Sequence, residues 1–230
     1  MRLPDRLFVG VPRAVGAAPP STPHVEFGGY ADLPTPRDIG AGVGRDQTCT
    51  IEAWHVLTHR RSDPRYRAMT DPPPEHAAVG HFDRSRWTDE AWEALDRLAR
   101  ATDLQAVVLK TPASFKASAE HATRLENFVA HAMRPGLALA WEWAPRSWPA
   151  TKALDLCDRI GAIAVVDPTK EPIPDGELVY LRVRPNARGK RVLKDDELKK
   201  VALEVRDRIG WLIFDNGDGE QDAERILEML

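Results

Sequence analysis

Residues 137–143 read Leu-Ala-Leu-Ala-Trp-Glu-Trp, a short apolar run that reaches an acid at its end. Other apolar runs along the chain also end on a charged or amide residue. Together these ends are Glu26, Glu52, Lys110, Glu142, Asp167, Arg182 with Arg184, and Asn216. The active centre of a (β/α)8 barrel lies where the C-terminal ends of its strands meet, so the pattern predicts such a barrel with a charged mouth.

Eight strand-like runs support this fold: 7–12, 24–27, 48–54, 106–112, 137–143, 163–168, 178–184 and 211–216. Amphipathic segments at 88–101, 118–133, 150–160, 195–209 and 219–230 alternate with the later runs, as in parallel βαβ units. We predict an α/β chain whose residues 1–230 form a single TIM-type (β/α)8 barrel. The early helices are expected to be shortened or irregular, because glycine and proline are frequent in 15–23 and 28–44.

Composition limits the classes of protein to consider. The chain has 230 residues, 43% of them hydrophobic, and a formal net charge of -3. No apolar run approaches the roughly 20 residues that cross a bilayer, so we expect a cytoplasmic protein without a membrane partner. Cys49 and Cys157 have neither metal-site nor disulfide spacing, and we interpret both as packed thiols.

The segment from about 55 to 86 is long for a connection inside a barrel, and it contains the run Pro72-Pro73-Pro74. Long connections of this kind are usually functional or disordered. Since it leaves the end of the third strand, one interpretation is a lid over the mouth. The other is a surface excursion stiffened by proline.

Alternation along each strand predicts which side chains enter the barrel. In the opening run, Ala138, Ala140 and Glu142 share the inner phase. By the same reasoning, three further sets point inwards: Thr50 with Glu52, Val165 with Asp167, and Tyr180 with Arg182 and Arg184.

These ends suggest proton transfer and anion binding. As catalytic acid and base groups we assign Glu142, Asp167 and Glu52. As substrate-binding residues we assign Glu26, His59, Lys110, Arg182, Arg184, Asn216 and Trp148. A basic loop over 182–191 lies where barrels often hold phosphate, which favours a small anionic ligand.

Other interpretations stay open for the same residues. Glu142 with Arg182 could form an ion pair that only stabilises the barrel, and the basic loop could be a solvated surface. His59 could be a surface residue, while Trp148 and Tyr66 could stack on a sugar or simply pack. The carboxylates could bind Mg²⁺ or Mn²⁺, although no histidines have ligand spacing.

Several short motifs, taken together, resemble one family. They are Val25-Glu26-Phe27, Ile51-Glu52-Ala53-Trp54, Ser62-Asp63-Pro64-Arg65-Tyr66-Arg67, Lys110-Thr111-Pro112, Trp141-Glu142-Trp143, Tyr180-Leu181-Arg182 and Phe214-Asp215-Asn216. These motifs follow one another in the same order as in the YecE-like family of uncharacterised barrels, also called domain of unknown function seventy-two. The chain resembles this family, and especially its archaeal-type branch. The resemblance implies a TIM barrel that is remotely similar to sugar isomerases.

The sequence departs from the family pattern at the strand ends. Glu52 stands where the family usually has Lys, Lys110 where it has Gln, and Asp215 where it has Asn. Arg182-Val183-Arg184-Pro185 replaces Arg-Leu-His-Gly. Lys and Glu have in effect exchanged between the third and fourth strands, which would preserve an ion pair.

Three functions follow as hypotheses. The first is an isomerase- or hydrolase-like enzyme acting on a small anionic sugar-like or phosphorylated substrate. The second is a nucleic-acid-binding or nuclease-like protein, suggested by Arg60, Arg61, Arg65 and Arg67 in the long segment. The third is a non-catalytic barrel that binds a ligand or a partner. The substrate, the metal and the oligomeric state are left open by the sequence.

Overall fold

A computed structural model describes residues 4–186 and 191–230. Eight parallel strands close into a barrel in chain order, with β1 pairing to β8. The strands are β1 Leu7–Arg13, β2 His24–Phe27, β3 Thr48–Glu52, β4 Ala106–Lys110, β5 Ala138–Glu142, β6 Ile163–Val166, β7 Leu178–Val183 and β8 Ile209–Phe214. The predicted (β/α)8 barrel is confirmed, and each predicted strand differs from the observed one by at most two residues at either end.

The helices are α1 Pro36–Ala41, α2 His55–Thr58, α3 Arg86–Thr102, α4 Ala119–Ala132, α5 Ala150–Ile160, α6 Asp195–Val205 and α7 Gly219–Leu227. The early helices are short or missing, as predicted: residues 14–23 follow β1 without a helix, and α1 has six residues. Residues 167–177 also connect β6 to β7 without a helix. Helix α3 begins at Arg86, two residues before the predicted segment 88–101, because Ser85 is its N-cap and forms a capping box with Thr88.

Two hydrophobic layers follow from the strand alternation. The inner cluster fills the barrel and contains Phe8, Ala106, Val108, Ala138, Ala140, Val165, Tyr180, Trp211 and Ile213. The larger outer cluster packs the other strand phase against the helices. The inner positions predicted for β5, β6 and β7 are therefore confirmed, and alternation continues inwards to the charged strand ends.

The long segment at 55–86 is packed against the core. It contains α2 and a 3₁₀ helix at Pro64–Ala68, and Leu57, Tyr66 and Phe82 are buried. The Tyr66 hydroxyl donates to the His59 carbonyl over 2.8 Å. These contacts fix the segment in place, so they favour neither a detached surface excursion nor a lid that opens as one piece.

Gly80, within this segment, adopts a left-handed backbone conformation with φ of +73°. Its amide donates to the Val56 carbonyl over 2.8 Å, and an added Cβ would lie 2.1 Å from the His59 carbonyl oxygen. We expect Gly80→Ala to lower the free energy of unfolding by about 1–3 kcal/mol, measured by urea denaturation. Gly40→Ala is the control, because a Cβ at Gly40 in α1 meets open space. Equal stabilities of the two variants would contradict this account.

Candidate active site at the barrel mouth

Arg182 is the centre of the charged mouth. Its side chain is 1% exposed, and its Nη2 donates to both carboxylate oxygens of Glu26 over 2.6 and 2.7 Å. Its Nε lies 3.0 Å from Glu142 Oε2, and its Nη1 lies 3.4 Å from Asp215 Oδ2. Burial lowers the pKa of Arg182, but Glu142 and Glu26 outweigh it and hold the pKa well above its usual value. Arg182 is therefore a fixed positive charge shared by three acids.

Glu142 is held between two arginines. Its Oε1 accepts from Arg184 Nε over 3.1 Å, in addition to the contact of Oε2 with Arg182. Burial raises the pKa of Glu142, but Arg182, Lys110 and Arg184 outweigh that effect and lower it. The carboxylate stays ionised at neutral pH, so its contacts suit an electrostatic role better than proton exchange.

Arg184 is also fully engaged. Besides Glu142, its Nη1 lies 3.3 Å from Glu171 Oε2 and its Nη2 donates to the Val165 carbonyl over 3.1 Å. The two arginines assigned to an anionic ligand are thus neutralised by acids of the protein itself. Anion binding by Arg182 and Arg184 would require these pairs to open, and it stays a prediction.

Glu52 and Lys110 form a second pair, at the ends of β3 and β4. Lys110 Nζ donates to Glu52 Oε1 over 2.8 Å, and the Lys110 side chain is 42% exposed. Burial lowers the pKa of Lys110, but Glu52 and Glu142 outweigh it and raise the pKa. The ion pair expected between the ends of these two strands is therefore present.

Asp215 is a site residue that sequence reasoning missed. It follows β8 directly, and its side chain is 33% exposed beside Arg182. Burial raises the pKa of Asp215 above its usual value, and Glu142 and Glu52 add to the rise against the opposing charges of Arg182 and Lys110. A carboxyl group that is open to solvent and has a raised pKa is suited to proton transfer.

Asp167 and Asn216 have contacts typical of loop anchors. Asp167 accepts from the Thr169 amide over 3.1 Å and from the Arg184 amide over 3.2 Å, and Lys170 Nζ lies 3.0 Å away. Burial raises the pKa of Asp167, but hydrogen bonds from the Thr169 hydroxyl, Lys170 and the two amides lower it overall. The amide of Asn216 donates to the Arg191 carbonyl and to Asp222 of α7, each over 2.7 Å. Their catalytic and binding roles stay predictions.

Trp148 and His59 are buried in packing contacts. Trp148 is 7% exposed, its Nε1 donates to the Phe115 carbonyl over 2.8 Å, and its ring stacks on Phe115. His59 Nδ1 contacts Thr58 Oγ1 over 2.7 Å, and burial lowers the pKa of His59 to about 3. Tyr66 is fully buried as well. The interpretation of His59 as a surface residue is wrong, because the 55–86 segment folds inwards, and the packing interpretation fits Trp148 and Tyr66. The substrate-binding roles of His59 and Trp148 stay predictions.

The expected phosphate position near β7 and β8 is occupied by acids of the protein. Asp218 and Glu220 lie at the start of α7, and Glu220 pairs with Arg13 over 2.6 Å. Arg188 and Lys190 of the predicted basic loop lie outside the described residues, whereas Arg191 pairs with Asp167 and Glu197. The described residues thus show no free cation cluster at this position.

The arginines of the long segment are largely engaged too. Arg60 pairs with Asp83, Arg61 donates to the Pro73 carbonyl, and Arg65 pairs with Asp63. Acids thus offset the charges of Arg60 and Arg65, whereas a neutral carbonyl leaves the charge of Arg61 uncompensated. The nucleic-acid hypothesis stays a prediction.

The carboxylates of the mouth do not fit a divalent metal as they stand. Across 4–186 and 191–230, no three His, Cys, Asp or Glu side chains are placed to hold a metal ion. Glu26, Glu142 and Asp215 instead face Arg182, whose charge would repel a cation. Among residues 4–186 and 191–230, no helix is both long enough and apolar enough to cross a membrane.

Solved structures share this architecture over their full length. A DUF72 family protein from Thermotoga maritima superimposes with a TM-score of 0.66 at 17% identity, covering 97% of this chain and 98% of its own. The chain has the DUF72 fold. An AP endonuclease, family 2, from Brucella melitensis gives 0.57 at 12% identity, covering 97% and 98%. A xylose isomerase domain protein from Planctomyces limnophilus gives 0.53 at 15% identity, covering 97% and 95%.

No protein-family model matches the sequence, and no curated protein matches it either. At these identities the structural matches show the fold alone. The expected DUF72-type barrel is therefore confirmed as a fold, and the archaeal-type branch stays a prediction.

Proposed function

We propose that the mouth of this DUF72-fold barrel is an active site that transfers protons on a small sugar-like substrate. The observation that carries the proposal is that one charged cluster holds two unlike groups that solvent can reach. Asp215 is one-third exposed and has a raised pKa, and Lys110, whose side chain is 42% exposed, belongs to the same charged cluster.

The two groups have complementary roles. Asp215 accepts a proton from a carbon or hydroxyl of the substrate and returns it at the neighbouring atom. Lys110 remains protonated and stabilises the negative charge that develops on the substrate oxygen. Arg182 and Glu142 keep the local charge fixed, and Glu52 orients the Lys110 ammonium. This is the chemistry of an isomerase that moves a proton next to a carbonyl group.

A sugar-like substrate suits the composition of the mouth. Carboxylate and ammonium groups both hydrogen-bond to hydroxyl groups, and the xylose isomerase domain protein named above shares the fold. An anionic group on the substrate would have Lys110 as its partner, because the Lys110 side chain is 42% exposed and pairs with Glu52, whereas Arg182 and Arg184 are more buried and each pair with at least two acids. We therefore include sugar phosphates in the proposed substrate class.

The test begins with a panel of aldoses, ketoses and their monophosphates. Binding is detected by thermal shift, and each binder is incubated with the protein and followed by ¹H NMR in D₂O. Isomerisation with deuterium incorporation at carbon is the expected result. A ligand recovered unchanged would support the non-catalytic hypothesis, and selective binding of abasic-site DNA would support the nucleic-acid hypothesis.

Substitution at the mouth then tests the assigned roles. We expect Asp215→Asn to reduce turnover about 100-fold and Lys110→Met to reduce it by a similar factor. Lys200→Met is the control, because Lys200 is an exposed lysine on α6 that also pairs with a glutamate. Full turnover in both mouth variants would show that the active site does not lie at the mouth.

A further inference from the structure

A continuous hydrogen-bonded chain crosses the barrel interior below Glu26. The Tyr180 hydroxyl donates to Glu26 Oε2, and Thr50 Oγ1 lies 3.0 Å from the same hydroxyl. His24 Nε2 lies 3.0 Å from Thr50 Oγ1, and His24 Nδ1 lies 2.7 Å from Thr48 Oγ1. Polar side chains thus link the mouth to the opposite end of a barrel whose remaining interior is largely apolar.

The two ends of this chain differ in exposure. Glu26, Tyr180, Thr50 and His24 are all 0% exposed. Thr48, at the first position of β3, is only partly buried and lines a cavity of about 370 Å³ at the N-terminal end of the barrel. Solvent can therefore reach the far end of the chain without passing through the mouth.

Counting protons fixes the direction of every link. Tyr180 has one hydroxyl proton and gives it to Glu26, so Thr50 must donate to Tyr180. The single hydroxyl proton of Thr50 is then used, so His24 Nε2 must donate to Thr50. Burial lowers the pKa of His24 to about 3, which makes the ring neutral with one N–H. Its Nδ1 accepts from Thr48, and every donor points toward Glu26.

We propose that the chain Thr48, His24, Thr50 and Tyr180 exchanges a proton between solvent at the N-terminal end of the barrel and the carboxylate of Glu26. In the inward step, a solvent acid protonates Thr48, and each group passes on one proton as it receives another. Glu26 becomes neutral, and His24 changes from the Nε2–H to the Nδ1–H tautomer. All donors now point outwards, so the reverse step returns the proton to solvent and restores the first arrangement.

The charge of Glu26 affects the charged groups around it. Arg182 and Tyr180 of β7 contact it directly, and Glu52 of β3 acts on it electrostatically. Protonation of Glu26 would leave more of the Arg182 charge for Glu142 and Asp215. The chain thus lets the charge at the mouth respond to solvent even when a ligand covers the mouth. This inference does not depend on the proposed reaction.

The first test is the tautomer of His24 in the full chain. ¹⁵N NMR of histidine-labelled protein, with the His24 signals assigned by their loss in His24→Gln, is expected to show neutral Nε2–H. Thr50→Val removes the acceptor of that proton, and we expect the Nδ1–H form, which donates to Thr48. Thr22→Val is the matched control, because Thr22 is also buried but donates to the His24 carbonyl outside the chain. An Nδ1–H or cationic His24 in the unmodified protein would overturn the proposal.

The second test is the rate of proton exchange. After a downward pH jump, infrared spectroscopy follows the carboxyl band of neutral Glu26, identified by its absence in Glu26→Gln. We expect Thr50→Val to slow its appearance at least about tenfold, a barrier increase of ~1.4 kcal/mol. Thr50→Ser keeps a hydroxyl and should retain the rate, as should Thr22→Val. Thr48→Val breaks the chain at its solvent end and serves as the test if Thr50→Val does not fold. An unchanged rate in Thr50→Val and Thr48→Val, or no Glu26 band at any pH at which the protein is folded, would refute the exchange.

Discussion

Replacing Arg182 by methionine is expected to lower the free energy of unfolding by about 3–5 kcal/mol. The guanidinium is 1% exposed and pairs with Glu26 and Glu142, whose side chains are 0% and 7% exposed. Without it, two desolvated carboxylates lose their main counter-charge, and breaking a buried ion pair from one side costs this much. Urea denaturation at neutral pH measures the loss.

Two comparisons identify the cause of that loss. Arg13→Met removes an arginine from a half-exposed pair with Glu220, and we expect a change of about 0–1 kcal/mol. Adding Glu26→Gln to Arg182→Met removes one of the uncompensated charges, so the double variant should be more stable than Arg182→Met alone. If the double variant is less stable, lost packing rather than unpaired charge explains the effect of Arg182.

Acid is expected to destabilise the protein through its buried histidines. Four histidines are at most 7% exposed, and burial lowers the pKa of each: His24 and His59 to about 3, His55 and His81 to about 4. Between these values and 6.5, the unfolded chain binds protons that the folded chain does not. Stability is therefore lost as pH falls below about 6.5, with His24 alone contributing about 2 kcal/mol by pH 5.

Urea denaturation at pH 7, 6 and 5 measures this slope. His24→Gln should flatten it, even if the variant is less stable at pH 7, because the slope depends only on the difference in bound protons. His76 is exposed, so His76→Gln is the control and should keep the slope of the unmodified protein. Parallel slopes for the two variants would mean that His24 is protonated in the folded state.

The strands and most of their inner residues could be predicted from the sequence because alternation is a local property. The same property also explains the missed residue. Trp211 and Ile213 lie in the inner cluster, so continuing their phase brings Asp215 to the mouth and turns Asn216 away from it. Taking the last polar residue of the run, rather than its phase, led to Asn216.

Other features depend on distances that no local pattern encodes. Thr50 and Tyr180 were both expected inside the barrel, but their contact across it depends on the register of all the strands. Trp148 and His59 lie in connections, where no periodicity shows which way a side chain points. The sequence also could not show which charged side chains of the mouth form ion pairs. Only the structure reveals that acids of the protein neutralise Arg182 and Arg184.

The pairing of Arg182 with Glu26 joins residues 156 positions apart in the sequence. Such a contact forms only after the barrel has closed, because β7 must reach β2 across the interior. Neither half of the chain carries the charged cluster alone. Recombining its halves with those of another barrel would thus separate a buried guanidinium from its partner, which makes the cluster a barrier to half-barrel exchange during evolution.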